Sequence, residues 1–184
     1  MRTEEIVEFL LKSVEPLPPN PPDGKRYRAS ATLKDGLYLP CVVFESASCV
    51  VDLAIKRFDE TRRDKSLNIM MDYRAIVRMF VTSGNTVNDY DIRAVGISPF
   101  AIPLARAREI GGETSMSWTE FYAIMRDGAE FRFGTTFLME FFEMPDGYTA
   151  NDIQRIVPAV RGETPRYEKI YRERPFFTCY IDGI

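Results

Sequence analysis

Between Thr3 and Val14, hydrophobic residues are spaced three and four positions apart. This pattern is typical of an amphipathic helix. The apolar face of this predicted helix consists of Ile6, Phe9 and Leu10. Five prolines between residues 16 and 22 then force an extended chain that cannot continue the helix. We therefore expect residues 1–22 to form an N-terminal helix on a proline-rich arm, and residues 23–184 to form a single domain.

After the arm, apolar and polar residues alternate in paired segments, as the strands of half-buried hairpins do. The first hairpin spans residues 27–44 about Asp35-Gly36, a dipeptide typical of a type I′ turn. Pro40 lacks an amide proton, so we expect the second strand of this hairpin to lie at an edge or to carry a bulge. Residues 73–82 and 89–97 are predicted to form a second hairpin. Further strands are predicted at residues 130–133, 136–143, 167–172 and 176–181.

Helix signals separate these strands. Ser117 and Glu120 match a capping box ahead of an apolar stretch, and Thr149 and Asp152 repeat that pattern. The second predicted helix begins at Ser46 or Ser48 and ends near Asp64, and the later ones cover residues 103–111, 117–128 and 149–158. Hairpins interleaved with single helices predict an α+β domain, with a largely antiparallel sheet built from hairpins and helices packed on one face. No internal repeat is expected.

The composition excludes several classes of function. The chain has no histidine, which removes Ser-His-Asp and Cys-His catalysis, His-ligated zinc and His-ligated haem within a single chain. Its three cysteines form no C-x-x-C pair, so we expect neither a disulfide framework nor a cysteine zinc site. The sequence contains no glycine-rich phosphate-binding motif, and we expect no cofactor and no metal.

Charge and hydropathy bear on partners and location. The net charge of −3 argues against a nucleic-acid binder, because neutralising phosphates needs a basic surface. No apolar run approaches the roughly 20 residues that span a bilayer, and the first residues show no signal-peptide pattern. We expect a cytoplasmic protein without a membrane partner.

Three residues are candidates for catalysis without histidine. Glu140 shares a predicted strand face with apolar residues, and such surroundings raise the pKa of a carboxyl into the range used in acid–base catalysis. We predict that Tyr122 acts together with Glu140 in this catalysis. Cys49 falls in the first turn of a predicted helix, where backbone N–H groups favour a thiolate. The ordinary alternatives are an ion pair between Glu140 and Arg132, and a buried core position for Cys49.

Two modes of binding are the alternatives to catalysis. The apolar face of the N-terminal helix can dock into a groove of a partner chain, or it can fold back onto its own sheet. The residues that could line a small-ligand pocket are Phe131, Phe133, Phe137 and Phe141. The sequence favours a non-catalytic interaction module that binds a protein partner, or self-associates, through its N-terminal arm. A histidine-free hydrolase or isomerase and a small-ligand-binding domain are the alternatives.

Overall fold

A computed structural model describes residues 1–18, 25–63, 85–136 and 140–184, with only the backbone of residues 49–51, 61 and 62. Within these ranges the chain forms three α-helices and nine strands in two mixed, mostly antiparallel sheets, so the α+β class is confirmed. The helices are α1 (Thr3–Ser13), α2 (Ala47–Arg63) and α3 (Leu104–Ala107). The strands are β1 (Pro16–Leu17), β2 (Arg26–Leu33), β3 (Tyr38–Ser46), β4 (Ile92–Ile97), β5 (Thr119–Met125), β6 (Glu130–Thr135), β7 (Ile153–Pro158), β8 (Ile170–Tyr171) and β9 (Phe177–Ile181). None of the helices in these ranges is long and apolar enough to cross a membrane.

The first sheet is built around the hairpin of β2 and β3. The antiparallel strands β1 and β4 share the outer edge of β2, and β9 adds to β3 in parallel. On one face of this sheet, α1 buries Ile6 and Leu10 against strand residues such as Phe44 and Ile92. Thr3, at the start of α1, donates a hydrogen bond of 2.6 Å to Asp89 and fixes the helix over the sheet. The N-terminal helix therefore completes the core of the first sheet.

The second sheet is built around the hairpin of β5 and β6. The antiparallel strand β7 adds to β5, and β8 adds to β6 in parallel. Its core contains a cluster of aromatic rings, with Phe121 stacked on Phe133 at a ring distance of 5.4 Å and Phe142 edge-on to both. Offset and edge-to-face contacts of this kind add to the stabilisation that burial provides. The short helix α3 contributes Ala107 to the same core.

The prediction of a helix over residues 117–128 is wrong, because this stretch contains strand β5. Glu120 does not cap a helix; it forms an ion pair of 2.7 Å with Arg132 on the neighbouring strand. Phe121 and Ala123 face the core, as the period of two in a strand requires. Cross-strand pairing has therefore overridden a local capping signal, a common outcome for sheet residues.

The predicted helix over residues 149–158 is also wrong beyond its first turn. Thr149 and Asp152 form the expected capping box, but it caps a 3-10 helix of three residues, Ala150–Asp152, and β7 follows. The predicted strand over 136–143 is not seen in the described part of that stretch, where Phe142 makes a single bridge to Glu173.

The other predicted elements mostly stand. The first hairpin, the helix that α2 forms, the short helix α3 and the two C-terminal strands are confirmed. The first turn is not type I′, because that turn needs a positive φ at two residues and only Gly36 has one, at 95°. The hairpin register slips opposite Pro40, which confirms the predicted bulge. The predicted strand at 73–82 lies outside the described residues, and β4 pairs with β2.

The two sheets repeat one topology, although no repeat was expected from the sequence. We name β2, β3, β4 and β9 the first unit, and β5, β6, β7 and β8 the second unit. In each unit a hairpin is followed by a 3-10 turn, then by an antiparallel strand on the outer edge of the first hairpin strand. A later strand then adds in parallel to the second hairpin strand. The second unit lies in the chain between β4 and β9 of the first.

The repeat extends to single hydrogen bonds. In the first turn, the Leu37 amide donates to the side chain of Asp35 (2.9 Å), and the Lys34 amide donates to the carbonyl of Asp91 (2.8 Å). The corresponding bonds of the second turn run from Ala129 to Asp127 (3.0 Å) and from Arg126 to Asp152 (2.9 Å). A register shift precedes the pairs Leu33–Ile92 and Met125–Ile153 alike. The residues of the two turns can therefore be compared one by one.

Candidate functional site

Glu140 lies at the junction of the two units and is almost fully buried. One of its oxygens forms an ion pair of 3.1 Å with Arg26 of β2. Beside it, the Arg28 guanidinium donates to the carbonyls of Glu140 (3.0 Å) and Ile102 (2.6 Å). Burial lowers the pKa of Arg28 to about 10, although the nearby Glu140 carboxylate opposes this effect. The cluster thus ties β2 to the segment before the second unit, through Ile102, and to the segment between β6 and β7, through Glu140.

The predicted partnership of Glu140 with Tyr122 is not supported by the contacts of either residue. Tyr122 lies on the outer face of the second sheet, where its hydroxyl accepts a hydrogen bond of 3.1 Å from the Arg166 amide. The Arg166 guanidinium also stands 4.7 Å from the centre of the Tyr122 ring. Arg132, the expected partner of Glu140, pairs with Glu120 instead. The structure does not bring Glu140 and Tyr122 into one site.

Sequence reasoning missed a polar cluster on the outer face of the second sheet. Both oxygens of Glu120 accept hydrogen bonds from Arg132, and one of them also accepts from the Trp118 indole (2.7 Å). The indole lies over Gly134, where an added Cβ would come within 2.2 Å of the ring. The small cavity beside this cluster has a volume of about 140 Å³, well below that of a usual ligand pocket. The cluster is therefore a satisfied network that holds Trp118 on the sheet.

The thiols offer no activated nucleophile among the described side chains. Burial raises the pKa of Cys41 to about 11 and that of Cys179 to about 12, so both stay protonated near neutral pH. Cys49 lies in the first turn of α2, as predicted, but its side chain is outside the described part of the structure. Its activation stays a prediction.

Among the described residues, the phenylalanines of the predicted pocket pack against other side chains and line none of the described cavities. Phe131 and Phe133 pack in the core of the second unit, and Phe141 packs against Cys41 and Val43 of β3. Phe137 lies outside the described residues. The described phenylalanines therefore fill space in the two cores.

The predicted docking face of α1 is occupied within the chain. Ile6 and Leu10 are fully buried, and the half-buried Phe9 packs against the same core. On its opposite side, α1 borders an open groove of about 640 Å³ with Val7 and Leu11 on its floor. This groove is larger than any other described here, but it is shallow, and nothing in the structure shows what would cover it.

A second cavity lies beside the first hairpin turn, and we name it the first-turn cavity. Its volume is about 440 Å³, within the range of small-molecule pockets. Its apolar lining consists of Leu33, Leu37, Leu39, Val87 and Phe177, and its polar lining consists of Lys34, Asp35, Thr86, Asn88 and Asp91. The cavity is thus lined by equal numbers of apolar and polar residues, and polar groups beside an apolar surface can orient a ligand.

The corresponding place in the second unit is filled by Tyr148. Tyr148 directly precedes Thr149, the N-cap of the 3-10 helix in the second unit. Val87 directly precedes Asn88, the N-cap of the 3-10 helix in the first unit. The Tyr148 ring lies 5.3 Å from that of Phe131, which takes the place of Leu39. Its hydroxyl donates a hydrogen bond of 2.6 Å to Asp127 in the second turn. The first-turn cavity therefore includes the place that corresponds to the Tyr148 side chain of the other unit.

Metal binding has no support in the described ranges, where no group of three or more acidic or cysteine side chains is close enough to hold an ion. Comparisons with models of protein families, with curated proteins and with solved structures found no match to this chain.

Proposed function

We propose that this chain is a non-catalytic domain that binds a small organic ligand in the first-turn cavity. One observation carries the proposal: the second unit fills the corresponding space with the side chain of Tyr148, whereas no described residue of the first unit fills it. The walls of the cavity are held by the strands and by the turn hydrogen bonds that both units share. A pocket with such fixed walls needs little reorganisation to accept a ligand.

The chemistry of the other candidate sites supports binding over catalysis. One oxygen of Glu140 pairs with Arg26, and both oxygens of Glu120 pair with Arg132, so each carboxylate is held in an ion pair. Cys41 and Cys179 are protonated at neutral pH because they are buried. Docking on a protein partner through α1 stays a prediction, and the burial of Ile6 and Leu10 does not favour it.

A screen of small aromatic and aliphatic fragments tests this proposal on the full chain. Ligand-observed NMR should detect fragments that bind the wild-type protein but not a Val87→Tyr variant, because the new ring fills the cavity as Tyr148 does in the second unit. Val160→Tyr serves as the matched control, since Val160 is 59% exposed and does not line the cavity. Fragments that bind all three proteins equally, or none of them, would contradict the proposal.

A further inference from the structure

The first-turn cavity has features that define the chemistry of its ligand, and this inference rests on the proposed function. We propose that the cavity binds a small molecule bearing a 4-hydroxyphenyl group, with the phenol hydroxyl donating a hydrogen bond to Asp35. The second unit serves as an internal template, because there the 4-hydroxyphenyl group of Tyr148 occupies the equivalent place.

The hydrogen bonds of Asp127 in the second turn can be compared with those of Asp35 in the first turn. In the second turn, Oδ1 of Asp127 accepts the amide of Ala129, and Oδ2 accepts the hydroxyl of Tyr148. In the first turn, Oδ1 of Asp35 accepts the corresponding amide of Leu37 at 2.9 Å. Because one oxygen is fixed in the same way, Oδ2 of Asp35 is the counterpart of the oxygen that holds the phenol. In the described part of the chain, no donor contacts this oxygen.

The space for the ring follows from three substitutions between the units. Leu39 stands where the second unit has Phe131, Phe177 stands where it has Tyr171, and Val87 stands where it has Tyr148. The change from Tyr148 to Val87 removes a whole ring together with its hydroxyl. What remains is an apolar wall beside an aspartate, an environment that suits a flat ring with a donor at its far end.

The charges at the rim favour neutral or cationic phenols over anionic ones. Asp35 and Asp91 carry two negative charges at the lining, whereas Lys34 supplies one positive charge. One oxygen of Asp91 already accepts a hydrogen bond from Asn88. A carboxylate on the ligand would therefore be repelled, and an ammonium would be attracted.

The decisive experiment compares p-cresol, which is the tyrosine side chain as a free molecule, with toluene, which lacks only the hydroxyl. Titrations followed by protein NMR should give a Kd for p-cresol about tenfold lower than that for toluene, the effect of one hydrogen bond to a charged acceptor. If both ligands bind equally, the phenol inference fails and the proposed function stands. If neither ligand nor any screened fragment binds, the proposed function fails.

Two variants with the same chemical change locate the acceptor. Asp35→Asn should remove most of the preference for p-cresol, because its amide oxygen is used by Leu37 and its amino group then faces the phenol. Asp127→Asn makes the same change in the second turn, away from the cavity, and should leave the preference unchanged. Circular dichroism checks that both variants fold. A loss of preference in both variants, or in neither, would overturn the assignment to Asp35.

A further pair of ligands tests the rim charge and the size of the ligand. Tyramine should bind more tightly than 4-hydroxyphenylacetate, and the opposite order would overturn the inference about charge. An acetylated and amidated peptide containing one tyrosine should bind more weakly than tyramine. If the peptide binds more tightly than every free phenol, the small-molecule assignment is wrong.

The template itself can be tested by opening the second unit. Tyr148→Val removes the ring and should create a second site, so that p-cresol binds with a stoichiometry of two instead of one. A stoichiometry that stays at one in a folded Tyr148→Val protein would overturn the equivalence of the two turns.

Discussion

The first and second units share a strand order and the hydrogen bonds of their turns, but their cores are made of different side chains. The first unit has mostly aliphatic strand residues, with Tyr27 and Phe44 among them, under the eleven-residue helix α1, whereas the second has stacked phenylalanines beside the four-residue helix α3. Phe121 takes the place of Ala29, and Phe133 takes the place of Val42. Large rings in the second unit therefore fill volume that a long helix fills in the first. At the first-turn cavity, no described side chain fills the volume that a ring fills in the second unit.

The largest expected effect concerns the junction between the two units. Arg28→Leu removes hydrogen bonds to the carbonyls of Glu140 and Ile102 and leaves both carbonyls buried without this donor. We expect the free energy of unfolding to fall by about 3 kcal/mol, measured by urea denaturation. Arg2→Leu, at an exposed ion pair, is the control and should change it by less than about 0.5 kcal/mol. Similar effects of the two substitutions would mean that the junction does not hold the units together.

The next effect measures how much each unit depends on its helix. Leu10→Ala opens a cavity in a fully buried position under α1 and should cost about 3 kcal/mol. Leu104→Ala, in the shorter α3 and slightly exposed, should cost about 2 kcal/mol. A reversed order, measured by the same denaturation, would show that α3 supports its unit more than α1 does.

A smaller effect is expected on the outer face of the second unit. Gly134→Ala places a methyl group within 2.2 Å of the Trp118 ring, so the ring must move away from the sheet. We expect a loss of about 2 kcal/mol and a red shift of tryptophan fluorescence as the indole becomes exposed. Gly112→Ala, where an added Cβ meets nothing within 4 Å, should leave both readings unchanged. Stability equal to wild type in Gly134→Ala would mean that Trp118 does not need the glycine.

The smallest effect concerns the hydrogen bond that the first unit lacks. The Tyr148 hydroxyl lowers the pKa of Asp127, and the Asp127 carboxylate raises the pKa of Tyr148. A carboxyl with a lowered pKa stabilises the fold above its ordinary pKa, and this contribution is lost as pH falls through the lowered value. A phenol with a raised pKa stabilises the fold below its ordinary pKa, and this contribution is lost as pH rises through the raised value.

The difference in melting temperature between wild type and Tyr148→Phe should therefore be constant from about pH 5 to about pH 9 and shrink on either side. Asp35→Asn is the comparison in the first unit, where no described tyrosine contacts the aspartate. A difference that does not vary with pH would mean that the hydrogen bond contributes nothing measurable.

Much of the first unit could be predicted from the sequence because its signals are local. The alternation of apolar and polar residues on both sides of Asp35-Gly36 predicts the hairpin. The three- and four-residue spacing of apolar residues predicts α1 and α2. The second unit was predicted less well, because Glu120 pairs with a residue twelve positions away and Asp152 caps only a single turn. A capping signal cannot reveal which neighbouring strand will compete for the same residues.

The repeat and the candidate cavity were missed for a related reason. The two turns share only short patterns, Leu33-Lys34-Asp35-Gly36 with Met125-Arg126-Asp127-Gly128, and an Asp-Ile pair at the start of β4 and β7. These patterns could have indicated the repeat, but their spacing differs between the units. The cavity is lined from three stretches, residues 33–39, 86–91 and Phe177, so no local motif marks it. It becomes visible only when the tertiary structure brings these stretches together.

The parallel pairing of β9 with β3 has a consequence for the order of folding. The second unit is continuous in the chain, and its strands pair over modest loops. The first unit, by contrast, needs residues 177–181 to complete its sheet, so its last contacts close a loop that includes the whole second unit. Contacts of such high sequence separation form late. During synthesis, β3 is made before the second unit, so its edge lacks β9 until residues 177–181 emerge from the ribosome.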